Sequence, residues 1–208
     1  MKYKLLLCDV DSTLIEQEVI DLLAMRSGRG QEVATITNAA MRGEIDFSEA
    51  LIERVKLLSG LPLSILDEVA SEIKLSPGAL TLREHCRTHG IKFGAVTGGF
   101  NQVLQGIPFF EELDFFRANS LGITRGTLNG EVVGAILDRR AKANYLVEFA
   151  ESHGIEVSDC VAIGDGANDL DMVNLAGLGI AFRGKEILRR AADIEIDGSL
   201  AEVIPLLS

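Results

Sequence analysis

The chain lacks a basic excess. Lys and Arg number 20 against 31 Asp and Glu, a formal net charge of −11. Such a balance cannot neutralise a phosphate backbone, which argues against nucleic acid as a partner, and it disfavours an anionic membrane surface. Cysteine is scarce too. Cys8, Cys86 and Cys160 are too few and too scattered for a disulfide framework, and Cys8 and Cys160 lie in apolar runs that suit buried thiols. No stretch approaches the roughly eighteen apolar residues of a membrane span. The N-terminal run reaches charge too early for a secretory leader, so a reducing cytoplasm is the expectation. Internal repeats and low-complexity linkers are missing as well.

What is present describes an ordinary globular chain: 208 residues, 47% apolar and 25% charged. That length suffices to bury about 70% of the unfolded surface without disulfides or metals. Short apolar runs at Tyr3–Cys8, Ile91–Val96, Cys160–Ile163, Leu178–Phe182 and Ile194–Ile196 read as strands. Gly78–His89, Ala141–His153, Ala167–Ala176 and Lys185–Ala192 carry helical spacing. Gly90, Gly154 and Gly177 stand where helix C-terminal glycines belong. The alternation predicts an α/β fold, a parallel sheet flanked by helices, with ligands at the carboxyl ends of the strands.

One stretch interrupts this pattern. From about residue 14 to 74 the chain reads as wholly helical, an insert placed directly after strand one and suited to cap the ligand end of the sheet. Asp46 and Glu49 resemble a capping box opening a helix with the stripe Phe47, Ala50, Leu51, Arg54, Val55 and Leu58. Pro62 suits the first turn of the next helix. Within Leu121–Ile136, Asn129-Gly130 is a type I′ hairpin signal.

Two strand ends are acidic. Strand one runs into Asp9-Val10-Asp11-Ser12-Thr13, whose two acids, two apart on an extended chain, point the same way. The Ile163 strand ends in Gly164-Asp165-Gly166-Ala167-Asn168-Asp169, where acids open a helix. Either segment alone is equally an acidic turn with N-capping residues. Together they converge carboxylates on one sheet edge, a hard oxygen site of the kind Mg²⁺ takes. Between them, Thr97-Gly98-Gly99-Phe100 offers a hydroxyl and glycine amides to phosphate oxygens. Lys142 is a candidate cation there, and equally a surface lysine.

In this order, Asp9-x-Asp11-Ser12-Thr13, Thr97-Gly98-Gly99-Phe100, Lys142 and Gly164-Asp165-Gly166-Ala167-Asn168-Asp169 resemble the four motifs of haloacid dehalogenase (HAD) superfamily phosphatases, across the whole chain. Glu16–Asp21 and Phe47–Leu61 resemble the phosphoserine phosphatase branch in particular. The resemblance implies a Rossmann-like core over residues 1–13 and 75–208, with a specificity cap over 14–74. It implies Mg²⁺-dependent hydrolysis of the small phosphomonoester O-phospho-L-serine through an aspartyl-phosphate, the last step of serine biosynthesis. It makes Asp9 the nucleophile and Asp11 the general acid and base, with a pKa above that of Asp9, which Mg²⁺ would keep ionised. Asp9, the Asp11 backbone carbonyl and Asp165 would hold the metal, with Asp169 behind them. Thr97 (where the family has serine), Gly98, Lys142 and Asn168 would bind the phosphoryl group. Glu18 and Arg54 would bind the amino acid, with Met41 and Phe47 lining the pocket.

From periodicity alone, Arg54 is either a carboxylate clamp or an arginine snorkelling from an apolar stripe. Glu18 shares a helical face with Leu22 and Met25, and a helix-start glutamate also answers the dipole. A related phosphatase or phosphotransferase with another substrate is the alternative activity. A phospho-accepting receiver is disfavoured by the insert and by Asp11, and a silent binding protein by the complete motif set. Gly179-x4-Gly184-Lys185 imitates a phosphate loop but has Glu186 where a hydroxyl belongs. His85 and His89, four apart, find no third metal ligand. Oligomeric state is not encoded in any of these features.

Overall fold

The computed structural model describes residues 2–41 and 44–208; the side chain of Met41 lies outside the described part. Seven strands form one sheet: β1 Leu5–Cys8, β2 Lys92–Phe100, β3 Phe115–Thr124, β4 Thr127–Val133, β5 Cys160–Gly164, β6 Leu178–Phe182 and β7 Ile194–Ile196. Their order is β4-β3-β2-β1-β5-β6-β7, parallel throughout except for the β3/β4 hairpin. All five apolar runs predicted as strands are strands.

The Leu5-Leu6-Leu7-Cys8 run is apolar at every position because β1 lies between two neighbours and is covered on both faces. Leu6 and Cys8 join one core with Leu82, Cys86 and Val203. Leu5 and Leu7 join the other with Leu146, Phe149 and Met172. The first face carries α5 (Ala79–His89) and the turns of Leu200–Leu207; the second carries α8 (Arg139–Ser152) and α9 (Leu170–Leu175). The chain builds outward from β1 through β2 and β3, then crosses over to β5. The carboxyl ends of β1 and β5 therefore flank the switch point at which open sheets of this kind bind ligands.

Between β1 and α5 come four helices, α1 (Val19–Arg26), α2 (Gly30–Met41), α3 (Phe47–Lys56) and α4 (Ser64–Glu72). The insert leaves and re-enters the sheet layer through a paired neck: Ile15 bridges Leu75, Glu16 N donates to Lys74 O, and Ser76 N donates to Leu14 O, both at 2.9 Å. Its stripe of Val19, Leu23, Leu51, Val55, Leu58 and Val69 is buried in the first core. Asp46 caps α3 by accepting from Ser48 N at 2.8 Å. Pro62 precedes α4 rather than opening it, and bridges Thr127. The remaining short helices are α6 (Asn101–Leu104), α7 (Pro108–Glu111) and α10 (Glu186–Arg189).

The hairpin turn is not at Asn129-Gly130. It lies at Arg125-Gly126, both at positive φ (53° and 82°) as a type I′ turn requires. Asn129 and Gly130 sit inside β4, opposite a register shift between Leu121 and Ile123. A bulge there absorbs Gly130's positive φ, and the bulged strand docks on the insert, with Gly60 N donating to Leu128 O at 2.8 Å. Gly177 is no helix terminator either. It has no positive φ, and a Cβ there would overlap the Ser158 carbonyl.

Candidate active site

The strand ends bring together the acids that the sequence placed there. Asp9, Asp11, Asp165 and Asp169 are all buried, and so is the whole of Lys142, a residue of α8. Its Nζ donates to Asp9 Oδ1 and to Asp169 Oδ1, both at 2.6 Å. Lys142 is therefore a buried cation between two carboxylates and not a surface residue. Burial works against its charge, but the two neighbours outweigh that and raise its pKa. Asp169 Oδ2 accepts from the amides of Asp165 (3.0 Å) and Gly166 (3.1 Å), so both its oxygens are engaged. Gly164 must be glycine for this approach, since a Cβ would overlap the Asp169 carboxylate.

Asp11 is fixed from two sides. Its Oδ2 accepts from Thr97 Oγ1 at 2.5 Å, and its Oδ1 accepts from Val19 N, the first residue of α1, at 2.7 Å. Burial raises its carboxyl, and both bonds oppose that rise. Asp9 is pushed well above the usual carboxylate range, by burial first and then by Asp169, against the pull of Lys142. Asp9 faces the charges of Asp169, Asp165 and Asp11 as well as Lys142, whereas Asp11 accepts from two donors.

These residues fit a divalent cation. Asp9, Asp165 and Asp169 each offer an oxygen, all within 4.8 Å of one another. With Asp169 bonded at both oxygens, Asp9 and Asp165 are the ones left to ligate. Asp165 is raised by burial and by the charge of Asp169. Four buried acids face Lys142 and, from the solvent side, Lys185, whose Nζ lies 3.1 Å from Asp165 Oδ2. That excess of negative charge and its all-oxygen donor set match a hard dication.

The insert contributes the remaining residues. The Phe47 ring of α3 lies against Gly98, its Cζ 3.1 Å from where a Cβ would stand. Arg54 is buried; Nε donates to Ala50 O at 3.1 Å and one terminal nitrogen to Thr37 Oγ1 at 3.3 Å. Burial lowers its pKa, while Asp21, Glu18 and Asp11 support the charge. Glu18 is not on a helical face with Met25, which is 70% exposed. It precedes α1 in extended conformation and accepts from Ser12 Oγ at 2.7 Å. Burial, then the Asp11 charge, raise it to about 7. Asn168 is half-buried beside Gly166. Met41 ends α2, with its side chain outside the described residues.

Three residues escaped the sequence reading. Ser12, at φ 56°, turns the chain after Asp11 and positions Glu18. Lys185, set aside with the false phosphate loop, pairs with Asp165. Asn119 of β3 is buried against the Thr97–Gly99 loop. Ser12 directly follows the Asp-x-Asp pair and Lys185 ends the false phosphate loop, so both had a signal, while Asn119 had none. His85 and His89 stack on each other at 4.0 Å and gather no metal cluster among the described residues.

Comparison with known proteins follows the same outline. The model of the haloacid dehalogenase-like hydrolase family matches residues 6–174. A phosphoserine phosphatase of Streptomyces coelicolor is 50% identical over 194 residues, 93% of this chain and 47% of that protein. One from Lactococcus lactis is 46% identical over 193 residues, 93% of this chain and 89% of its own length. The chain thus spans about half of the first relative and most of the second. A solved structure described as a phospho-aspartyl intermediate analogue of phosphoserine phosphatase superposes with a TM-score of 0.93 at 38% identity, covering 100% of both chains.

Proposed function

The chain belongs to the haloacid dehalogenase-like hydrolase family, and from that premise we propose that it hydrolyses O-phospho-L-serine to L-serine and phosphate. The observation that carries this reading is the Lys142 ammonium held between Asp9 and Asp169 at the strand ends, with Asp11 beside it. The phosphoserine specificity rests on Glu18 and Arg54 in the insert, and on the relatives named phosphoserine phosphatase. Residues 1–13 and 75–208 are the catalytic core in this proposal, and 14–74 the cap that selects the substrate. The reaction is the last step of serine biosynthesis, in the cytoplasm. No helix among the described residues is long and apolar enough to cross a membrane.

An oxygen of Asp9 attacks phosphorus in line with the ester bond. As the Asp9–phosphorus bond forms, the bond to the serine oxygen breaks, and Asp11 gives that oxygen its proton. Asp11, now ionised, takes a proton from water, whose oxygen attacks phosphorus and releases Asp9. Lys142, Thr97, the Gly98 amide and Asn168 bind the equatorial oxygens, where charge must be stabilised in the transition state. Asp9, the Asp11 carbonyl and Asp165 would hold Mg²⁺, which would neutralise part of the negative charge of the nucleophile and the phosphoryl group. Asp169 holds Lys142 in place. Glu18 binds the substrate ammonium, Arg54 its carboxylate, and Phe47 encloses the side chain.

The test is phosphate release from phosphoserine, phosphothreonine and an aryl phosphate, with and without Mg²⁺. Selective, Mg²⁺-dependent turnover of phosphoserine is expected. Equal turnover of all three overturns the substrate assignment, and undiminished turnover in a chelator overturns the metal.

A further inference from the structure

The Thr97–Phe100 segment departs from the sheet. β2 pairs Thr97 with Ala118 and Phe100 with Asn119, so Gly98 and Gly99 are extra residues bulged out of the ladder. Bulging deprives the half-buried Gly98 carbonyl of its strand partner and leaves it in need of a donor. Asn119, the next residue of β3 and 2% exposed, supplies it: Nδ2 donates to Gly98 O at 2.9 Å. Its Oδ1 accepts from Leu137 N at 2.8 Å, in the segment leading to α8 and Lys142. Both ends of the Asn119 amide are therefore bonded to main chain.

The Gly98 carbonyl and the Gly99 N–H belong to one peptide plane. That N–H donates to Thr97 Oγ1 at 2.8 Å, and Thr97 Oγ1 donates to Asp11 Oδ2 at 2.5 Å. Gly99 also lies close, with a Cβ there only 2.6 Å from Asp11 Oδ2. The line from Asn119 to Asp11 thus runs through one rigid peptide and one hydroxyl. With Gly99 N–H on one lone pair, the Thr97 hydroxyl donates to Asp11 in the substrate-free protein. Aligned donors of this kind polarise one another.

We propose that Asn119 is a positioning residue for proton transfer: through the Gly98–Gly99 peptide and Thr97 it holds the Asp11 carboxyl in the orientation that protonates the leaving oxygen. The same amide ties that loop to the segment carrying Lys142. This inference rests on Asp11 being the general acid of the proposed hydrolysis.

The test compares leaving groups. Serine leaves as an alkoxide and needs a proton; p-nitrophenolate leaves without one. Phosphoenzyme formation in the first turnover is measured by rapid quench for phosphoserine and p-nitrophenyl phosphate, in wild type, Asn119→Ala and Asp11→Asn. Asn119→Ala is expected to lose about ten-fold or more with phosphoserine and under about three-fold with p-nitrophenyl phosphate, the magnitude of a partial loss of general-acid catalysis. Should Asn119→Ala fail to fold, Asn119→Ser, a polar side chain too short to reach both Gly98 O and Leu137 N, carries the comparison. Equal losses on both substrates, or none, overturn the proposal. If Asp11→Asn itself loses equally on both, the general-acid assignment has failed. If Asp11→Asn shows the leaving-group difference and the Asn119 variant does not, only the role of Asn119 has failed.

Discussion

The Lys142 ammonium lies 2.6 Å from Asp9 Oδ1, across 133 residues of sequence, and neither side chain reaches solvent. β1 delivers one partner and α8 the other, so sheet and helix layer must both be in place before the pair exists. Asp169 closes the triad on the far side. The pair is consequently a property of the folded core, and its disruption has effects on both stability and chemistry.

Asp9→Asn keeps the shape of the side chain and removes the proposed nucleophile. Turnover is expected to fall by at least about a thousand-fold, in the range seen when a covalent nucleophile is lost. Circular dichroism should stay native, and no acid-stable phosphoenzyme should form. Substantial remaining turnover would move the nucleophile elsewhere.

Lys142→Met leaves Asp9 and Asp169 buried without their cation. Removing one partner of a buried pair costs about 3–5 kcal/mol, read as a lower urea midpoint at pH 8. The sign with pH follows from the acids left behind. Burial and the neighbouring Asp169 charge hold Asp9 above its unfolded pKa, so the folded state binds more protons and stability falls as pH rises. Stability should therefore recover toward pH 5 more in the variant than in wild type. Millimolar Mg²⁺ should restore part of it at pH 8, by binding only the folded state. A variant as stable as wild type at pH 8 would contradict the buried charge.

Much of this arrangement was legible in the chain because each strand end carries its own chemistry. Leu5–Cys8 is apolar at every position, and Asp9 follows at once; Cys160–Gly164 and Asp165 repeat the pattern. Such segments declare burial and function in consecutive residues. Asn119 gave no sign, because an Asn whose amide serves two distant main-chain groups has no periodicity. The hairpin misled for a related reason. Asn-Gly is the stronger turn dipeptide in isolation, but β4 docks on the insert through Leu128 and Pro62 pairs with Thr127, and this tertiary register moves the turn to Arg125-Gly126. Glu18 was assigned correctly to the insert's entry but to the wrong surroundings, since it stands before α1 and bonds to Ser12.

Arg54 can be tested by substrate comparison. Two of its nitrogens are spent on Ala50 O and Thr37 Oγ1, which orient the guanidinium without neutralising it. Arg54→Ala should raise KM for phosphoserine by roughly ten- to a hundred-fold, as loss of a charge-assisted hydrogen bond of about 1.5–3 kcal/mol implies. Aryl phosphate, having no carboxylate, should change by less than about three-fold. A uniform loss on both substrates would make Arg54 a structural residue of α3.

Glu18 gives the pH prediction. Burial and Asp11 raise its carboxyl to about 7, and in the proposed role only the ionised form attracts the substrate ammonium. KM for phosphoserine should therefore rise as pH falls from 8 to 6. An aryl phosphate, sharing the phosphate titration but lacking the ammonium, isolates the contribution of Glu18. Glu18→Gln retains an acceptor for Ser12, so it should flatten this difference while raising KM at pH 8. Stability moves the other way. Below the unfolded pKa both states are protonated and Glu18 contributes nothing; above about 7 the folded protein bears the cost of the ionised group. The empty Glu18→Gln protein should then melt higher than wild type at pH 8 and equal to it near pH 4. Opposite signs for stability and substrate affinity at one residue are what a binding group under strain produces. A variant that loses both at pH 8 would show that Glu18 serves the fold through Ser12 and not the substrate.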